Sequence, residues 1–132
     1  MHGLLMCGLP MRGALAVLVL IAVGGTAGAA PAVRTPEQRQ TLIDLAFVLG
    51  EAHALHRVCA GPSDDTWRGR MQKLLEVEAA PDTLKARLTE SFNAGFSAKD
   101  AQAKDCKTAS ALEAGVARRG AELTRRLSGG SP

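Results

Sequence analysis

The sequence predicts an all-α fold: a small antiparallel bundle of about four helices, closed by one disulfide and preceded by a signal peptide. Three observations carry that expectation. Apolar residues recur at intervals of three and four along four separate stretches, the spacing of one helix face. No stretch alternates apolar and polar residues in the manner of a half-buried strand. Two cysteines fall at segment ends that such a topology brings together. A chain of 132 residues holds one domain at most.

The first element is an address. Met11-Arg12 precede the apolar run Gly13 to Val23, and small residues follow from Gly24 to Ala30. A positive start, an apolar middle and a small-residue end are the three parts of a secretory signal peptide. The apolar run is about 11 residues, whereas a membrane span needs about 20, so a retained anchor is not expected. Ala27-Gly28-Ala29 supplies the small side chains of a cleavage site, with the cut after Ala29. Apolar residues ahead of Arg12 leave either Met1 or Met11 as the start. Cys7 precedes the apolar run instead of ending it, which argues against lipidation. The organisation is therefore signal peptide 1–29, linker 30–35, helical domain 36–127 and tail 128–132.

Thr35-Pro36-Glu37-Gln38 opens the first helix with a capping box and a proline at its first position. Leu42, Leu45, Ala46, Leu49, Ala52, His53 and His56 share one face, and Ile43, Phe47, Leu55 and Val58 widen it. Only Gln40, Asp44 and Glu51 remain as a narrow polar strip, so this helix is expected at the centre. It runs to about Cys59, where Ala60-Gly61-Pro62 stops it. Ser63, Asp64 and Asp65 cap the second helix, whose inner stripe is Trp67, Met71, Leu74, Leu75 and Glu78. After Ala80-Pro81-Asp82 a third helix carries Leu84, Leu88, Phe92, Gly95, Phe96 and Ala103 inward and ends near Asp105. Thr108 or Ser110 is expected to cap the fourth, with Ser110-Ala111-Leu112-Glu113 as its capping box and Leu112, Val116, Leu123 and Leu127 inside.

Cys59 and Cys106 are the two cysteines left after cleavage. Beyond the membrane such a pair oxidises, and two free buried thiols are the alternative. Short connections give antiparallel neighbours, so helices one and three point the same way and their C-terminal ends meet. A bridge there fits the fold.

At this point the residues resemble a known pattern. Leu49-Gly50, His53, Leu55, Cys59, Trp67-Arg68, Met71, Leu74-Leu75 and Glu78 form its first part. Arg87-Leu88, Phe92-Asn93, Gly95-Phe96 and Cys106 continue it. Together they resemble an uncharacterised family, a domain of unknown function, of small exported alphaproteobacterial helical proteins with two cysteines. The resemblance covers about residues 36 to 127 and implies export and a helical fold, without an activity. Where the family carries an arginine three places after its histidine, this chain has His56.

Composition excludes several classes. A net charge of +3 and 3% aromatic residues are poor equipment for nucleic acid. A hydrophobic fraction of 46% excludes a disordered chain. No phosphate loop, nucleophile constellation or cofactor motif is present in the sequence, so no catalytic residue and no cofactor are assigned. The leading expectation is a non-enzymatic binding or accessory module of the cell envelope, periplasmic and meeting an envelope protein partner. One alternative is a small metal-binding protein using His53 and His56, since imidazoles on adjacent turns suit zinc or copper. A weaker one is an acid–base enzyme centred on His53 and Glu78. The plainer reading of those two is a buried polar pair, Glu78 satisfying a histidine on an apolar face. Trp67 and Arg68 are candidate partner contacts, their types being common in interface hot spots. Gly95 inside a helix marks a close helix approach, with Asn93 beside it as a polar contact. Arg118, Arg119, Arg125 and Arg126 make a solvated face or a dock for an acidic partner.

Overall fold

The computed structural model of the chain describes residues 33–129. The expected signal peptide and its expected cleavage at Ala29, Cys7 and the choice between Met1 and Met11 lie outside the described residues. The described chain forms four helices: α1 (Pro36–Ala60), α2 (Thr66–Glu78), α3 (Asp82–Asp100) and α4 (Cys106–Leu127). Among the described residues there is no strand, and no helix is long and apolar enough to cross a membrane.

The helix ends follow local chemistry. Thr35 Oγ1 accepts from the Gln38 amide at 3.2 Å, and Gln38 Oε1 accepts from the Thr35 amide at 3.0 Å, completing the expected box. α1 stops at Gly61, whose φ of 105° only glycine adopts easily. At α2 the cap position falls on Asp65, but Asp64 does the bonding, accepting from the Thr66 amide at 3.2 Å and its hydroxyl at 3.1 Å. α2 ends on Ala79 in the left-handed region, φ 43°, before Pro81 prevents continuation.

The start of α4 corrects the sequence reading. Asp105 is its cap, taking the Thr108 amide and hydroxyl, each at 2.9 Å. An aspartate there captures the free amides one turn before Ser110 can, so Ser110 lies inside the helix and the Ser110–Glu113 box goes unused. α3 correspondingly ends at Asp100, and Cys106 belongs to the N-terminus of α4 rather than to the end of α3.

Register can be read from the contacts. Ser91 donates to Ile43 O at 2.7 Å, Gly95 meets Phe47, and Lys99 lies 3.5 Å from Glu51. These pairs keep a constant offset of 48, so α1 and α3 run parallel. Arg34 pairs with Glu78 and His56 with Asp64, so α2 returns antiparallel to α1. Cys59 bonds Cys106 while Gly120 meets Val48, so α4 is antiparallel as well.

α1 packs against all three other helices, α2 touches α3, and the backbones of α2 and α4 do not approach each other. The expectation of a central α1 is met: Gly50 to Leu55 are all buried. Leu42, Ala46, Met71, Leu84, Leu88 and Phe92 form one apolar cluster, and Val48, Leu55, Ala103, Ala109 and Val116 a second.

The α1–α3 approach is closer than a side chain permits. A Cβ on Gly50 would sit 1.9 Å from Phe92 O, and one on Gly95 would sit 2.0 Å from Phe47 O. The close approach expected at Gly95 is therefore reciprocal. Asn93, by contrast, is exposed.

Candidate functional site

His53 comes to lie at the α1–α3 contact because it follows Gly50 by three positions on the same face. It is 1% exposed. Its ring centroid is 5.7 Å from that of Phe92 and 5.4 Å from that of Phe96. Among the described residues neither ring nitrogen has a hydrogen-bond partner, and the same holds for Arg57 Nε, whose guanidinium lies 5.6 Å over the Phe96 ring. Burial, reinforced by the positive charge of Arg68 and Arg57 against weaker opposition from Asp65 and Asp64, holds the imidazole below the ordinary histidine range.

The expected His53–Glu78 pair does not form. Both oxygens of Glu78 are taken by Arg34 at 2.7 and 2.9 Å, at the opposite end of α1. Eighteen residues of helix separate Arg34's neighbour Thr35 from His53, about 27 Å of rise, beyond the reach of any side chain. The pairing of an apolar-face histidine with a carboxylate on the next helix took no account of this antiparallel register. Without that pair the acid–base enzyme centre has no geometry.

The metal reading meets a similar fate. His56 Nε2 turns to Asp64 at 3.6 Å while His53 is enclosed by aromatic rings. Cys59 is bonded to Cys106, with Cα atoms 4.8 Å apart. Among the described residues no group of three or more His, Cys, Asp or Glu side chains is placed to hold a metal ion.

Trp67 and Arg68, expected to act together, are separated by the helix. Arg68 reaches back to Asp65 at 3.6 Å, and Arg70 instead lies over the Trp67 ring, 4.7 Å from its centroid. Trp67 faces a long groove of about 960 Å³. Its floor is α1, through Leu45, Leu49 and Ala52; one wall is α2, through Trp67, Leu74 and Val77; the other is α4. The groove exists because α2 and α4 both pack on α1 while their backbones stay apart. Ala114, Ala117 and Ala121 line the α4 wall, and all three are exposed. Arg70 and Lys73 stand on the α2 rim, Glu113 on the α4 rim.

A search of curated proteins and a search of solved structures each find no match to this chain. A family model, described as a protein of unknown function (DUF2385), matches residues 37–129. The chain belongs to that family. The match spans all but the first residue of α1 and the whole of α2, α3 and α4, so groove, His53 pocket and disulfide are all inside the DUF2385 domain.

Sequence reasoning missed three features of this domain. Glu51, read as part of a solvated strip, is 4% exposed and is held by Arg119 of α4 and Lys99 of α3. Its partners are 68 and 48 residues away, so only its place inside an otherwise apolar stretch could have marked it. Arg119, read as part of a solvated arginine face, thus stays exposed but directs its charge to Glu51. Arg34, assigned to the linker, closes the far end of α1 on Glu78. The third miss is the α4 wall. Its alanines recur at three and four residues, a second face beside the Leu112–Val116–Leu123 stripe that the larger side chains overshadowed.

Proposed function

We propose that this protein is an exported, non-enzymatic binding module of the cell envelope that acts by contact with a protein partner through the groove between α2 and α4. The groove carries this reading: half-buried Leu45, Leu49, Trp67 and Leu74 form a continuous apolar surface that the described residues leave uncovered. Contiguous exposed apolar surface rimmed by polar residues marks interaction sites. Export is supported by the address pattern of residues 11–30 and by a disulfide that persists in an oxidising compartment.

Two measurements test it. The intact mass of protein recovered from the periplasm should begin at Ala30 and be two hydrogens lighter before reduction. An apolar fluorescent dye should brighten on the folded, oxidised protein and lose that response in Ala117→Glu. Residue 117 is exposed, so the variant should keep its melting temperature. A dye response unchanged by Ala117→Glu would remove the groove from the proposal, and an uncleaved cytoplasmic product would remove export.

A further inference from the structure

The dimensions and charges of the groove say more about what fills it. Its α4 wall runs from Ser110 to Thr124, about 21 Å at the helical rise of 1.5 Å per residue. A helix with its side chains is about 10–12 Å across, so 21 Å of helix occupies about 1,600–2,400 Å³. The groove, of about 960 Å³, is open along one side, so such a helix would be seated in it without being enclosed. An extended strand fits the chemistry poorly, because all three walls are helices whose backbone groups are bonded internally and have none to lend to a strand. A helix satisfies its own backbone and needs only an apolar face. The alanine wall of α4 would let such a helix come close, while Trp67 and the 63% exposed Val77 would cover it from the α2 side.

The rims differ in charge. Among the described residues Arg70 has no carboxylate partner and is held over Trp67 by its ring. Lys73 pairs only with Glu76 of its own helix at 3.2 Å, both largely exposed, an arrangement of little strength. On the opposite rim Glu113 has no cation within salt-bridge distance among the described residues. We infer that the groove receives an amphipathic helix of a partner protein, with carboxylates along the edge facing Arg70 and Lys73. This rests on the binding reading above and adds the partner's chemistry to it. The recognition mode is an apolar stripe at i, i+3, i+4 and i+7 laid in a groove, with orientation set by the positive α2 rim.

The probe is a pair of stapled 18-residue helical peptides with the same leucine stripe, one bearing glutamates on the relevant edge and the other lysines. Trp67, the single tryptophan of the chain, reports binding to the oxidised protein by its fluorescence. The acidic-edge peptide should bind about tenfold tighter or more than the basic-edge one. Arg70→Glu combined with Lys73→Glu should invert that order, and Ala117→Glu should abolish binding of both. Equal affinity of the two peptides, or no inversion in the double variant, overturns the inferred partner. Uptake of an anionic single-chain detergent with no binding of either peptide overturns the helix but keeps an apolar-binding groove. Failure of the dye, the detergent and the peptides together overturns the binding reading as well.

Discussion

His53 is buried without a hydrogen bond among the described residues, a state a neutral imidazole tolerates far better than an imidazolium. Its folded-state pKa lies below the unfolded value of about 6.5, so the unfolded chain binds the proton more readily. Stability from this residue is therefore complete above pH 6.5 and is lost as pH falls through the folded value. Urea midpoints measured from pH 7.5 down to pH 5 should decline, and His53→Phe, which suits the Phe92–Phe96 surroundings, should flatten the profile. Glu51 poses the opposite case: a buried charge whose two partners come from two other helices. Glu51→Ala would leave Lys99 facing the interior without a counter-charge and should cost about 3 kcal/mol by urea unfolding. The two residues were unequally legible. The apolar-face position of His53 follows from periodicity, which reveals a face within one helix. The partners of either residue depend on which helices meet and in what register, and periodicity contains no such information.

Among the elements, α1 and α3 are bound by a contact that no side chain could improve. Gly50→Ala and Gly95→Ala should each destabilise by about 3 kcal/mol or more, since the new methyl would meet backbone instead of a yielding side chain. Gly69, also helical, has open space within 4 Å of where an alanine methyl would stand. Gly69→Ala should therefore stabilise by about 1 kcal/mol through helix propensity alone. Thermal unfolding followed by circular dichroism compares all three. Gly95 could be singled out because a glycine in mid-helix is costly without a packing reason. The same reasoning applies to Gly50, but the surrounding helix is so apolar that one glycine does not stand out as a packing feature. Helix starts were legible where a box of matched residues was present, as at Thr35–Gln38. The start of α4 is misplaced in the sequence reading, which ends α3 near Asp105; as the cap, Asp105 takes the first unbonded amides ahead of Thr108 or Ser110.

At the scale of the molecule, the fold was legible because four amphipathic segments with short connections leave few ways to bury α1. The disulfide was legible for the same reason, and it survives the reassignment of Cys106. The end of α3 and the start of α4 lie at the same end of the fold, so the bridge closes the expected end of the bundle but ties α1 to the start of α4 instead of to the end of α3. With a sequence separation of 47, its effect on the unfolded chain is about 4 kcal/mol. For about 100 residues each kcal/mol moves the midpoint by about 4–8 °C, so Cys59→Ser should lower the melting temperature by well over ten degrees. The groove was not legible. It is a gap between the backbones of α2 and α4, and nothing in either segment records how far it stands from the other.

The position of the bridge also settles how the molecule would carry a mechanical load. α1 and α4 run antiparallel, with the bridge at one end and Arg34 and Leu127 towards the other. Tension applied at the two ends of the described chain passes along α1, through the sulfurs and back along α4, peeling the pair apart like a zipper. α2, α3 and the glycine crossing lie inside the covalent ring, where the backbone transmits no force. In a single-molecule pulling trace the oxidised protein should extend by about 160 Å less than the reduced one, the length of 47 residues at about 3.4 Å each.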